Sequence, residues 1–363
     1  MSLLHEGSWG RWDSGNYLGI AAHGYDIHPC APGRVPPSMP GPASSYECGN
    51  TAWMPLYPWA VRAAAAPGLS LPLAGLVTTL LTRLAGLVLL WAVLREVTPR
   101  GRAAAAGAMA CLLLAVVFPG MIYLHAIFPV AQATLLALAC MVLLARERWL
   151  PAGLAGAGAA ASYPLGVLLV PVALLAGVAA GWRGRPLWRR LGGALLAGAL
   201  VAAGLGIVFL DQRLALGRWD AFFAGQRRFG NGLHDPLPVF QATVAPVLAW
   251  LGGDRSPAPQ GLTEGLQTVL VAALVVLSVG ATLLHRRRTR LDLLIACYTL
   301  MVWVAPHVAS RGTGLSQYRS EALLLPAVVL TRHVPVVLRV PLVLASTAVA
   351  VEMARLFWRL VLH

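Results

Sequence analysis

Near the N-terminus, Arg11-Trp12-Asp13-Ser14-Gly15-Asn16-Tyr17 forms the densest polar cluster of the chain. It sets one carboxylate, Asp13, among indole and phenol rings and a side-chain amide. A carboxylate open to water but walled by aromatics can take a proton from a hydroxyl as that hydroxyl attacks an electrophile. Such help is worth about 10²–10⁴-fold in rate. A purely local role competes with this one. Tyr17, Ile20, Ala21 and Gly24 recur at helical spacing, with Asp13 at or just before the start. An aspartate there can cap the first helical turn. His23 and His28 follow closely, where loop histidines are usually solvated. No CxxC or His-rich ligand spacing occurs, so no structural metal is expected. A phosphate-cradling GxxxxGK[ST] loop is also absent.

The elements that must position this cluster belong to a membrane. Of 363 residues 58% are apolar and only 12% charged, too few charges to cover a soluble protein of this size. The runs 69–94, 103–121, 126–145, 191–210, 262–284 and 291–309 have the roughly 20 apolar residues of a membrane helix. Two more, 321–336 and 340–360, are less clean. The stretch 152–181 is too long for one span and too short for two. Pro164 interrupts it after Ser162-Tyr163, which predicts two short helices meeting at membrane depth.

Orientation follows from arginine. The net charge is +14, and all 28 basic residues are Arg. The short loops around Arg95–Arg102, Arg146–Arg148, Arg183–Arg190 and Arg286–Arg290, with Arg332 and Arg339, carry most of that excess, which assigns them to the cytoplasm. The opposite face balances ten Arg against ten acidic residues. The basicity is therefore an orientation signal, and no nucleic-acid partner is expected. The expected organisation is an outer loop at 1–67, membrane helices at 68–210 with the broken pair at 152–181, an outer interfacial region at 211–261, and C-terminal membrane helices at 262–363. That is an all-α polytopic protein of about 8–10 membrane helices. Cys30 and Cys48 share the outer loop, where a disulfide can form.

Two segments carry a family resemblance. "RWDSGNYLGIAAHGYD" and then "WMPLYPWAVR" (53–62) resemble the first outer loop of the second mannosyltransferase of glycosylphosphatidylinositol assembly and its actinobacterial relatives. Those are multi-spanning glycosyltransferases of the GT-C class, with a Trp-Asp pair after the first helix. The segments 147–171 and "QYRSEALLLPAVVL" (317–330) are similar to later helices of that family.

The resemblance implies a polyprenyl-phosphate-mannose donor, inverting transfer on the extracytoplasmic face of the cell membrane, and no cofactor. Asp13 would be the general base. Arg319 would hold the leaving phosphate, helped by Tyr318, Tyr163 and Arg311, since a planar guanidinium suits bidentate phosphate contact. Arg227 and Arg228 are weaker candidates. Trp12, Asn16, Tyr17, His23 and Tyr57 would line the substrate pocket, and Glu321 would pair with Arg319. Two departures stand out. The family's first helix is not in this sequence, so an apolar stretch is expected upstream of Met1. Where relatives often carry Arg before the proline of the broken pair, this chain has Tyr163. The competing readings are a lipid or solute transporter, in which the broken pair and Arg83 line a path, and an inactive subunit of a mannosyltransferase complex.

Overall fold

The computed structural model describes residues 9–35, 39–98, 101–179, 186–286, 288–309 and 319–359. The chain is all-α apart from one two-stranded ribbon. Helix α1 (Ser14–His23) is followed by β1 (Ile27–Pro29), β2 (Glu47–Gly49) and α2 (Leu56–Ala65). Then come α3 (Leu71–Val97), α4 (Arg102–Val116), α5 (Val130–Ala145), α6 (Trp149–Ser162), α7 (Leu169–Ala179) and α8 (Leu187–Leu216). The rest is α9 (Ala221–Arg227), α10 (Pro236–Leu251), α11 (Pro259–Leu284), α12 (Arg290–Ala309), a 3-10 rod (Ala322–His333) and α13 (Val336–Trp358).

Among the described residues, α3, α8, α11, α12 and α13 are long and apolar enough to cross a membrane. Helix α3 shows the inside-out arrangement that lipid imposes. Leu81, Leu84 and Val88 form an exposed apolar stripe, whereas Thr79, Arg83 and Gly86 face the protein. Its start is set by Ser70, whose Oγ accepts from the Leu73 amide at 3.4 Å, with Pro72 in the first turn.

Two membrane segments, 103–121 and 321–336, differ from their sequence reading. The run 103–121 is not one span. Helix α4 stops at Val116, because Pro119-Gly120 ends it and Gly120 turns the chain at φ 77°. A buried 3-10 turn, Met121–Leu124, leads from there toward α5. The stretch 152–181 is the expected broken pair: Tyr163 breaks to an extended conformation and Pro164 opens a 3-10 turn into α7. Gly153 approaches Ala197 and Leu200, Gly204 approaches Ala157, Gly177 approaches Ala194, and Gly198 approaches Val170. Helix α6 therefore runs parallel to α8 and α7 antiparallel to it: the pair is a hairpin laid along one long helix. The second difference is 321–336. In place of an α-helical span, the chain forms the 12-residue 3-10 rod, whose residues Ala322–Thr331 are all buried. Rods of this type rarely exceed four residues. Here α4, α5, α11 and α12 surround it. At about 2.0 Å rise per residue the rod is roughly 24 Å long, so it runs through the core from end to end.

In the 211–261 region, α10 packs antiparallel on the first turns of α11, with Pro246 against Gly261 and Thr243 against Gly265. The 9–65 region packs on α3, α6, α8 and α9. Cys30 and Cys48 are joined by a disulfide across the β1–β2 ribbon.

Candidate active site

Asp13 is built into place from both sides. Trp12, before it, adopts φ 57°, a left-handed conformation that a bulky side chain rarely accepts. Asp13 itself already has helical dihedrals, φ −63° and ψ −11°. A capping residue needs an extended backbone to turn its side chain onto the N2 or N3 amide. Asp13 accordingly makes no cap hydrogen bond. Its carboxylate is instead engaged by Arg319, 306 residues away, through Oδ2 and Nη1. The Asp13 side chain stays 28% exposed while that of Arg319 is 10% exposed.

The rest of the site is stacked beneath this pair. Tyr17 lies one helical turn below Asp13 and is buried. Burial pushes the Tyr17 hydroxyl pKa up, and the negative charge of Asp13 adds to the effect. The Tyr17 ring meets Tyr57 edge-on at 5.7 Å and Phe128 at 6.1 Å. The Arg319 guanidinium in turn sits 5.8 Å from the Phe128 ring centre. Tyr163, at the break of the α6–α7 hairpin, pairs its hydroxyl with Ser320 Oγ at 3.2 Å. Asp13 and Tyr17, Tyr163, and Arg319 therefore converge from three distant stretches of chain.

Other sequence candidates separate from this group. Tyr57 is fully buried and its hydroxyl is committed: it donates to the Gly75 carbonyl at 2.9 Å and meets Thr79 Oγ1 at 2.7 Å. It supports Tyr17 rather than facing an opening. His23 is exposed at the far end of α1, about 15 Å of helix from Asp13. Asn16 is half-buried beside Asp13 on the first turn. Glu321 does not pair with Arg319. Its carboxylate accepts from Gln267 Nε2 at 2.8 Å and Thr268 Oγ1 at 2.9 Å. Arg311 and Tyr318 lie outside the described residues.

Two arginines matter more than their sequence positions suggest. Arg62 ends the "WMPLYPWAVR" segment and donates to the Ala21 carbonyl at 2.6 Å and the Ile20 carbonyl at 3.0 Å. These carbonyls lie in the last turn of α1, where Gly24 closes the helix at φ 84° and its amide also donates to the Ile20 carbonyl at 3.0 Å. Arg62 thus fixes the helix that carries Asp13. Arg228 lies between Trp53, 5.4 Å from its ring centre, and Phe229, 4.6 Å away, and donates to the Gly49 carbonyl at 3.2 Å. Burial lowers its affinity for the proton, and the charge of Asp13 opposes that. Gln212 and Gln226 tie the neighbouring Thr51 and Ala52 carbonyls to α8 and α9 at 2.8 and 3.1 Å. Phe128 gave no sequence signal, since only tertiary packing brings it under Arg319.

Such an arrangement can hold a polar molecule at a half-open carboxylate flanked by a guanidinium, over a floor of aromatic rings. Among the described residues no group of His, Cys, Asp and Glu is placed to bind a metal ion.

No family model matches the sequence, and no curated protein does. Two solved structures are similar in fold. One is ArnT from Cupriavidus metallidurans bound to undecaprenyl phosphate, at 16% identity and TM-score 0.48, covering 78% of this chain and 49% of that one. The other is the Archaeoglobus fulgidus oligosaccharyltransferase tethered to an acceptor peptide, at 14% identity and TM-score 0.41, covering 94% and 49%. The chain spans about half the length of each.

Proposed function

We propose that the protein is a membrane glycosyltransferase that moves mannose from polyprenyl-phosphate-mannose to an acceptor hydroxyl at the outer membrane face, with inversion. The observation that carries this reading is the state of Asp13. Its carboxylate is not spent on capping its own helix, remains partly open to water, and stands against a guanidinium. A general base and a phosphate-binding cation are the two groups such a transfer needs.

In the proposed step, the Asp13 carboxylate takes the proton of the acceptor hydroxyl as its oxygen bonds to the sugar's anomeric carbon. The bond from that carbon to the phosphate oxygen breaks. The electron pair leaves with the phosphate, which stays on its lipid. Arg319 stabilises the charge that develops there. Asp13 then returns its proton to water through its exposed side.

The Asp13–Arg319 pair also implies an order. While Arg319 holds the carboxylate, the Oδ2 that accepts from the guanidinium is occupied and not free to meet the acceptor hydroxyl. A donor phosphate competes for the same guanidinium and so frees Asp13 when the sugar is present. Tyr163 contributes no charge to the phosphate. Its hydroxyl instead steadies Ser320, next to Arg319.

The test is a membrane assay with labelled polyprenyl-phosphate-mannose and extracted lipids and proteins as acceptors. Labelled product from the unaltered chain, absent from Asp13→Asn and Asp13→Ala at equal expression, is the expected result. Product retained by both variants removes Asp13 as base. Uptake of a solute with no glycosylated product removes the enzymatic reading itself.

A further inference from the structure

Arg83 sits thirteen residues into α3, well inside a helix long enough to cross the membrane, and is 4% exposed. One of its nitrogens, Nη2, donates to the Ala115 carbonyl at 2.6 Å. Its Nε and Nη1 are buried and have no hydrogen-bond partner. Among the described residues no carboxylate pairs with it; each ion pair there involves another cation. A guanidinium stays protonated under all ordinary conditions. An uncompensated charge at membrane depth costs several kcal/mol, and each orphaned donor adds its own desolvation cost.

The space next to it is of a definite size. Arg83 lines a cavity of about 10 Å³ with Thr82, Gly86, Thr134, Leu138 and Pro326. That is room for one particle about as large as a water molecule. The two hydroxyls on the wall are already committed as donors. Thr82 donates to the Thr78 and Thr79 carbonyls, and Thr134 to the Val130 carbonyl. The remaining wall is mostly apolar. A water would satisfy the orphan donors but leave the charge unbalanced. A phosphate or sulfate is too large for the space.

We infer that Arg83 forms a binding site for a single small monovalent anion of the halide class, between α3, α5 and the 3-10 rod. The anion accepts from Nε and Nη1 and neutralises the guanidinium inside the membrane. This site is separate from the Asp13–Arg319 pair and does not depend on what that pair does.

The experiment follows thermal unfolding of the full chain in detergent, with sodium gluconate, chloride, bromide or sulfate at equal ionic strength. Chloride and bromide are expected to raise the midpoint by about 2–4 °C over gluconate, with sulfate giving no such rise. Arg83→Met is expected to abolish the difference between halide and gluconate, and Arg83→Lys, which keeps a charge but loses the planar fork, to retain part of it. A wild-type midpoint equal in chloride and gluconate overturns the site and leaves Arg83 with water. Sulfate stabilising more than the halides overturns it too, because that ranking is general exclusion from the protein surface. So does an Arg83-dependent rise that appears only when anionic phospholipid is added, since the ligand would then be a lipid phosphate. The wild-type anion ranking decides the matter even if Arg83→Met does not fold.

Discussion

The 3-10 rod ends in an ion pair at each terminus, and the two pairs are opposites in design. At its start, Arg319 holds Asp13, a carboxylate on a separate helix that is 28% exposed. At its other end, Arg332 holds Asp292, which is fully buried. Asp292 accepts from Arg332 Nη2 at 2.5 Å and from the Thr289 amide at 2.7 Å, and lies 3.3 Å from His333 Nε2. The His333 ring stacks on His285 at 4.4 Å between centres. One carboxylate is saturated with donors and sealed, while the other keeps a face toward water. A buried carboxylate that satisfies all its partners serves structure. One that keeps an open face can exchange its partner for a ligand.

Removing each charge should separate these roles. The largest effect belongs to Asp13→Asn, expected to lower transfer about 10²–10⁴-fold in the membrane assay while the unfolding midpoint moves little. Next is Asp292→Ala, which leaves Arg332 buried without its counter-charge. It should cost about 3–5 kcal/mol of stability, read as loss of folded protein in detergent. The fraction that remains folded should transfer at the normal rate. If Asp292→Ala folds normally and loses activity, or Asp13→Asn fails to fold, the contrast between the two ends collapses.

The ribbon that frames the outer end offers a smaller break. The Cys30–Cys48 disulfide spans 18 residues. Closing a loop of that size is worth about 3 kcal/mol on a chain-entropy account. Cys48→Ser should therefore lower the unfolding midpoint and loosen the 9–65 region, read as faster proteolysis there. It should leave protection of the rod's far end, around Asp292, unchanged. Equal loosening at both ends would mean that the rod couples them.

How much of this is legible in the sequence differs by element. The membrane class and the break at Tyr163-Pro164 are written in composition and in one proline, because lipid and proline act locally. The rod is not legible. Its residues Ala322–Leu330 read as an ordinary apolar span, and only the crowd of helices around it imposes the narrower 3-10 form. Among site residues, Asp13 and Arg319 stand out by type, since a carboxylate and a guanidinium near aromatic rings are unusual in so apolar a chain. Their pairing does not stand out. Sequence proximity favours Glu321 as the partner of Arg319, yet Gln267 and Thr268 claim that carboxylate from α11. In the same way the helical periodicity of 13–24 favours a capping role for Asp13. The helical dihedrals at Asp13, after the left-handed turn at Trp12, remove it.

The smallest expected effect bears on whether the outer end needs a second charge. Tyr163 stands before the proline of the broken pair, and its hydroxyl is already paired with Ser320. Tyr163→Phe removes that one neutral hydrogen bond and keeps the ring that fills the break. The loss is then about 0.5–1.5 kcal/mol, and transfer should fall less than about tenfold. A tyrosine hydroxyl that donated to the departing phosphate would instead act only in the transition state, and its loss would lower kcat without raising KM. Loosening Arg319 through Ser320 weakens the hold on the donor's phosphate before and during reaction alike, so KM for the donor rises while kcat changes little. The split between those two constants in Tyr163→Phe therefore decides whether Arg319 faces the phosphate alone among these four converging residues.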